Sequence, residues 1–238
     1  MNNNLEFNDG VYANDNAQTK SFVSNVFAYM ALALAISGAL AYLFGTTSLA
    51  DYLGNFNTGM KPLGWVVMIA PLAFILVMNF GFNRMSFSML LIVFIGYAAV
   101  MGMSLSYIFK LIEFDTITKV FLITAGLFGA MAFIGYTTKT DLTKFGGILM
   151  MAVIGLVIAS VVNMFMDSNP LDYLISCAGV LIFTGLTAYD VQKIKRIGAG
   201  VEFGTAEASK LALMGALSLY LDFVNLFMFL LRVFARRD

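Results

Sequence analysis

The 238-residue chain is 60% hydrophobic and only 12% charged, whereas soluble proteins are roughly 45–50% apolar and about 25% charged. A soluble fold could not bury that much apolar surface, so lipid must cover it. The balance of 14 basic and 14 acidic residues leaves no net field that would attract nucleic acid. His is absent and Cys177 is the single cysteine, which excludes His-ligated metal or haem, Cys-cluster metal sites and an intramolecular disulfide. We expect no cofactor, and any pH sensing must come from carboxylates.

The chain divides into a polar tail and one membrane domain. Residues 1–20 are rich in Asn and Asp, and we expect them to form a disordered cytoplasmic tail. Residues 21–238 hold seven apolar runs of about the 20 residues that cross the hydrocarbon, where only helices satisfy the backbone of such segments. The sequence thus predicts an all-α integral membrane protein, a seven-helix transmembrane bundle. Its predicted segments are residues 21–45, 62–82, 86–109, 118–137, 145–166, 171–191 and 211–234.

Small residues indicate where these helices approach each other closely. Gly126 and Gly129 lie three residues apart in the fourth segment, and small residues at helical spacing are typical of membrane helix interfaces. We therefore predict that this face of the segment packs against a neighbouring helix.

The loops predict that the N-terminus lies in the cytoplasm, where Lys and Arg accumulate. The N-tail and the even-numbered loops carry eight basic residues, namely Lys20, Arg84, Lys139, Lys144, Lys193, Lys195, Arg196 and Lys210. The odd-numbered loops carry three, namely Lys61, Lys110 and Lys119. Three arginines at the C-terminus oppose this orientation. Either the last segment is re-entrant, or the earlier helices determine the orientation despite these arginines.

Asp222 is the clearest candidate for function, because it is an acid within an apolar run. It lies 11 residues past Leu211, or about 17 Å along a helix, where an ionised side chain costs roughly 2.5–3.5 kcal/mol. Ser218 and Asn225 flank it at i−4 and i+3 and form a polar stripe on the same face. The stripe belongs to an ion pathway, or else Asp222 is protonated and joins two helices by a hydrogen bond.

Two further residues are candidates at the predicted cytoplasmic side. Asp190 closes the sixth run, with Thr187 at i−3, and is either functional or an ordinary carboxylate at a helix end. Arg84 lies in the short loop between the second and third runs, and from its position alone a topology signal explains it better than a functional role does.

Asp190 and Asp222 would form a pH-sensitive site if they met. Two carboxylates close together in a low dielectric cannot both ionise cheaply, so they would share a proton. Their hard oxygen atoms are also possible calcium ligands. The spacing of the two acids does not establish that they meet.

Two segments resemble the transmembrane Bax inhibitor motif family, and bacterial members match best in length. These segments are Gly185-Leu-Thr-Ala-Tyr-Asp-Val-Gln192 and Gly215-Ala-Leu-Ser-Leu-Tyr-Leu-Asp-Phe-Val-Asn-Leu-Phe227. The similarity covers all seven apolar segments. It implies a bundle in which six helices surround the last one, and a location in a bacterial inner (plasma) membrane.

The same resemblance implies a pH-sensitive calcium leak. In that picture Asp190 and Asp222 share a proton, and an arginine at the end of the second helix, here Arg84 by order and side, latches onto the ionised pair. Calcium would be the transported ion rather than a cofactor, and the protein would not be an enzyme.

Two other functions remain open. One is a regulator that binds other membrane proteins, such as membrane proteases or stress and cell-death machinery. The other is an intramembrane aspartyl protease, which also uses two acids on adjacent helices. Tyr189-Asp190 fits its first motif, but Leu219, Tyr220 and Leu221 precede Asp222 where that class has Gly-x-Gly.

Overall fold

A computed structural model describes residues 3–55, 59–202 and 204–235. Within them a short 3-10 helix, Ser48–Tyr52, precedes two two-residue strands, β1 (Gly54–Asn55) and β2 (Gly59–Met60), which pair antiparallel. The remaining regular structure is helical. The helices are α1 (Asn3–Thr46), α2 (Pro62–Gly81), α3 (Phe87–Leu105), α4 (Ile108–Leu111), α5 (Phe114–Thr137), α6 (Thr143–Met166), α7 (Asn169–Gly200) and α8 (Ala206–Phe234).

The predicted fold class is confirmed. Seven helical spans in the described residues are long and apolar enough to cross a membrane, with α3 and α4 forming one span over Phe87–Leu111. α8 is the most buried span, with 61% of its apolar window inside the structure, as a central helix requires. It is one unbroken helix of 29 residues, about 44 Å long, and contains no turn at which a re-entrant segment could reverse.

The helices extend further than the apolar runs predict. α1 begins at Asn3, within residues 1–20, which the sequence predicts to be a disordered tail. α7 continues to Gly200 and α8 begins at Ala206, whereas the predicted segments end at residue 191 and begin at residue 211. Each residue added to an existing helix gains a hydrogen bond without a new nucleus. Charges therefore mark the edge of the hydrocarbon, not the end of a helix.

The chain folds as two compact units, of which the first contains Met1–Leu111 and Ile194–Leu217. Within it α1 packs closely on α3: the Ser37 hydroxyl donates to the Ala98 carbonyl at 2.7 Å, and Gly102 lies against the backbone of Ser37. The start of α8 joins this unit where Gly215 lies beside Val26 of α1.

The second unit contains Ile112–Lys193 and Ser218–Asp238. It is built from α5, α6, most of α7 and the last part of α8. α5 approaches α7 where the backbone of Gly135 meets that of Ala188. α6 lies against α7 through Gly146, which contacts the ring of Tyr189.

The predicted packing at Gly126 and Gly129 is wrong. No heavy atom of a neighbouring element in the described residues lies within 4 Å of a Cβ built at either position. In the same helix Gly135 is the glycine that permits a close approach. The lipid-facing side of a membrane helix also lies in an apolar medium. A small residue there carries no energetic penalty and does not indicate contact with another helix.

Candidate functional site

Asp222 is a buried acid on α8. It is 5% exposed, and its neighbours Leu219, Phe223 and Leu226 are buried as well. An isolated charge in such surroundings is costly, so the side chain needs a partner.

The nearest candidate is Asp190 on α7, whose carboxyl group lies close enough to interact with the carboxyl group of Asp222. A hydrogen bond between two carboxyl groups requires that one of them holds the proton it donates. The spacing of the two acids in the sequence could not establish this proximity. Asp190 lies ten residues before Gly200, the last residue of α7, so it is not a carboxylate at a helix end.

The register of α7 and α8 explains why these acids meet. Phe183 on α7 stacks on Phe229 of α8, with ring centroids 5.7 Å apart. Phe183 precedes Asp190 by seven residues and Phe229 follows Asp222 by seven. The two helices therefore run antiparallel, and a seven-residue step, close to two turns, returns to the same face of each.

The pair has one further polar neighbour and one unused oxygen. The Lys193 ammonium, one turn after Asp190, is close enough to interact with its carboxyl group. Oδ2 of Asp222 is buried and has no hydrogen-bond partner among the described residues. This oxygen can therefore accept a hydrogen bond from another donor, or contact a cation.

The residues of the predicted polar stripe form local hydrogen bonds. The buried Thr187 hydroxyl donates to the Phe183 carbonyl at 2.8 Å, and Asn225 Nδ2 donates to the Leu221 carbonyl at 2.8 Å. Ser218 is half-buried. These groups make the face around Asp222 polar, but Thr187 and Asn225 direct their donors to their own helices.

Arg84 is placed differently from the acids. It lies in the turn after α2, where its backbone N–H donates to the Gly81 carbonyl at 2.9 Å, and its side chain is exposed. It belongs to the first unit, whereas both acids belong to the second. Ion pairs in the described residues join Lys110 to Asp51 and Lys119 to Asp115, and the latch by Arg84 stays a prediction.

Aromatic rings next to the acid pair were not predicted from the sequence. Phe223, directly after Asp222, packs edge-to-face with Phe121 and Phe128 of α5, with ring centroids 5.4 Å apart in both cases. Phe227 adds a further contact to Phe121 at 6.2 Å. The available signal was the seven-residue spacing of Phe121 and Phe128, which puts both rings on one face of a helix.

The pair alone offers fewer oxygen ligands than a calcium ion takes. Two carboxyl groups offer up to four oxygens, whereas Ca²⁺ takes 6–8 oxygen ligands. Among the described residues, no group of three or more His, Cys, Asp or Glu side chains is gathered as for a metal. The arrangement suits transient contact with a passing cation better than permanent coordination.

Comparison with known proteins gives consistent matches along the chain. A family model described as "Inhibitor of apoptosis-promoting Bax1" matches residues 19–238. The chain is 38% identical over 222 residues to inner membrane protein YbhL of Escherichia coli, covering 93% of this chain and 94% of YbhL. It is 40% identical over 221 residues to the uncharacterized protein RP147 of Rickettsia prowazekii, with 92% and 90% covered. A third relative, the uncharacterized membrane protein SpyM3_0260 of Streptococcus pyogenes, is 32% identical over 228 residues, with 96% and 98% covered.

Proposed function

Because the chain belongs to the Bax inhibitor-like membrane protein family, we propose that it is a pH-sensitive calcium leak channel and not an enzyme. It is a multi-pass integral membrane protein, and its likeness to YbhL supports a place in the bacterial inner membrane. The excess of Lys and Arg in the even-numbered loops supports a cytoplasmic N-terminus. Calcium is the cargo in this proposal.

The observation that carries the proposal is the contact between Asp190 and Asp222 inside the membrane helices. While the pair holds a proton, it carries one negative charge and its hydrogen bond joins α7 to α8. Loss of that proton puts two like charges together, and at 4 Å they repel by about 4 kcal/mol at an effective dielectric of 20. This repulsion favours separation of the helices or entry of a cation, and a divalent oxygen-seeking ion offsets both charges.

Arg84 enters the proposal as the latch for the ionised pair. Its guanidinium would neutralise one carboxylate and hold the closed state until the pair is protonated again. This part rests on the resemblance to the family and on the order of Arg84 in the chain. Neutralising Arg84 by Arg84→Gln should therefore change the leak chiefly at the pH at which the pair is ionised.

Calcium flux into dye-loaded proteoliposomes tests the proposal. We expect wild-type flux to vary with pH, and Asp190→Asn and Asp222→Asn each to flatten that profile. Asp115→Asn is the matched control, since Asp115 is an exposed acid of the same unit that pairs with Lys119. If both site variants keep the wild-type flux and pH profile, the pair does not gate a leak.

A second proposal is a regulator that binds other membrane proteins. The exposed apolar surface of α6 favours it, since only 11% of the apolar window of that helix is buried. Partners would then contact the protein within the membrane. Cross-linking from α6 in native membranes should capture a specific protein, whereas conduction by the purified protein alone would count against the regulator.

An intramembrane aspartyl protease is the remote alternative. Two acids in contact on neighbouring helices fit its chemistry, but Leu219, Tyr220 and Leu221 replace the Gly-x-Gly that precedes the second acid in that class. Cleavage of a model transmembrane substrate that is lost in Asp222→Ala would favour this function over the leak.

A further inference from the structure

Gln192 forms a clamp on the loop between α5 and α6. Its Oε1 accepts a hydrogen bond from the Leu142 backbone N–H at 2.8 Å, and its Nε2 donates to the Thr140 carbonyl at 2.8 Å. The side chain is 6% exposed. A buried primary amide that bonds both a donor and an acceptor of one loop holds that loop in a single position.

The clamp connects this loop to the acid pair through one turn of α7. Gln192 follows Asp190 by two residues, so their side chains point in different directions from the same turn. Asp190 contacts α8, while Gln192 contacts residues 140–142. Any rotation or shift of this turn that moves Asp190 must therefore stretch the hydrogen bonds of Gln192 or move the loop with it.

The contact does more than cap α6. Leu142 is the residue before the first turn of α6, and a cap needs only an acceptor for its N–H or those that follow. The Asp141 carboxylate already accepts from the Thr143 N–H at 2.9 Å. The donation from Gln192 to Thr140, which precedes the helix, is not needed for capping, and it ties the loop itself to α7.

We propose that Gln192 is a positioning residue for Asp190, and that it makes the α5–α6 loop part of the gate. Displacement of Asp190 on opening moves the loop, and forces on the loop move Asp190. The role in gating rests on the proposed leak. The mechanical coupling of loop and acid does not, and can be measured without transport.

Hydrogen exchange at the Leu142 amide in the full-length protein in nanodiscs measures this coupling. Asp190→Asn changes the pairing with Asp222, and we expect the Leu142 exchange rate to change by about threefold or more. Asp115→Asn, the exposed-acid control, should leave the rate unchanged. Equal Leu142 exchange in the wild type and in Asp190→Asn overturns the coupling.

Gln192→Leu tests whether Gln192 carries the coupling. Loss of both hydrogen bonds should speed Leu142 exchange about tenfold, and adding Asp190→Asn should then produce no further change. Asn163→Leu is the matched control, because the Asn163 amide accepts from the Ser168 N–H at 3.2 Å at the other end of α6. A response to Asp190→Asn that persists without Gln192 assigns the coupling to another contact and overturns the proposal.

Gln192→Glu separates a positioning role from a general packing role. A protonated carboxyl has the acceptor and the donor of the amide in the same places, whereas a carboxylate can bond Leu142 but repels the Thr140 carbonyl. Lys139, Asp141, Lys144, Asp190 and Lys193 are the charged groups of the loop and the adjacent turns that influence it. Compared with wild type at the same pH, the Leu142 amide of this variant should exchange at the same rate in acid. It should exchange faster at a pH at which the new carboxyl group is ionised. If Gln192 only fills space, the Leu142 exchange rate of the variant should differ from that of wild type by the same factor at every pH. That result would count against the clamp.

Calcium flux then links the clamp to the proposed function. Gln192→Leu should raise the leak about fivefold at the pH at which the wild type is least active, because the closed position of Asp190 is less well held. A wild-type protein that does not conduct refutes the leak and leaves the exchange result standing. A normal leak in Gln192→Leu refutes the role of the clamp in gating and leaves the leak standing.

Discussion

Gly135 of α5 lies backbone to backbone against Ala188 of α7. A Cβ at position 135 would lie 2.8 Å from the Cα of Ala188, and closer still to its carbonyl oxygen, so the backbones of α5 and α7 are in close contact at this point. Ala188 precedes Asp190 by two residues. The position of Asp190 therefore depends on the absence of a side chain at Gly135 of α5.

Gly135→Ala should destabilise the protein. The added methyl group meets backbone, which cannot rotate away, and overpacking of this kind costs about 1–3 kcal/mol. Gly126→Ala is the control in the same helix, where nothing in the described residues lies within 4 Å and Ala is favoured by about 0.5–1 kcal/mol. Unfolding free energies in mixed detergent micelles measure both, and equal effects at the two glycines would show that the close approach does not matter.

Asp222→Asn should keep the contact with Asp190, since the amide N–H can donate to the carboxylate without a proton. Asp222→Leu leaves the Asp190 carboxyl without that partner, and we expect the unfolding free energy to be lower than in Asp222→Asn by about 1–3 kcal/mol. The same two substitutions at the exposed Asp115 serve as controls and should differ little. A Leu variant as stable as the Asn variant would mean that the contact contributes nothing to the fold.

Two threonines of α7 should respond in opposite directions to removal of the hydroxyl. The Thr184 hydroxyl is buried without a hydrogen-bond partner among the described residues, so Thr184→Val should raise the unfolding free energy by about 1 kcal/mol. The Thr187 hydroxyl bonds to the Phe183 carbonyl, and Thr187→Val should lower it by about 0.5 kcal/mol. A loss of stability in Thr184→Val contradicts the assignment of an unsatisfied hydroxyl.

The ring contact of Phe128 with Phe223 should appear as a coupling energy. Edge-to-face pairs contribute about 0.5–1.5 kcal/mol beyond the burial of their area, so a double-mutant cycle of Phe128→Leu and Phe223→Leu should give a value in that range. Phe133 of the same helix is 69% exposed, and its cycle with Phe223 should give none. Additive effects of Phe128→Leu and Phe223→Leu would refute the coupling.

The fold was predictable from the sequence because charges interrupt the apolar runs at intervals that match a bilayer. Asp222 was predictable as a candidate for the same reason, since an acid inside such a run is costly. Its contact with Asp190 was not, because 31 residues separate the two acids and the turn between α7 and α8 does not determine the register of the helices. The resemblance to the family, not the spacing, pointed to that pairing.

The sequence could not show which face of each helix packs against the other helices. In a soluble protein a polar face marks the outside of a helix, but α5 is apolar on the face that packs and on the face that meets lipid. Gly126 and Gly135 are therefore equivalent in the sequence, although only Gly135 meets a neighbour. The clamp by Gln192 was hidden for another reason: its partners are backbone groups, which carry no sequence signal.

The slight burial of α6 has a consequence for the proposed leak. Only 11% of its apolar window is buried, and a membrane helix that is mainly exposed to lipid adjusts its tilt to the hydrophobic thickness of the bilayer. Leu142, the residue before the first turn of α6, is joined by Gln192 to the turn of α7 that carries Asp190. In the proposed leak, a change in bilayer thickness that tilts α6 would therefore act on Asp190 through the side chain of Gln192.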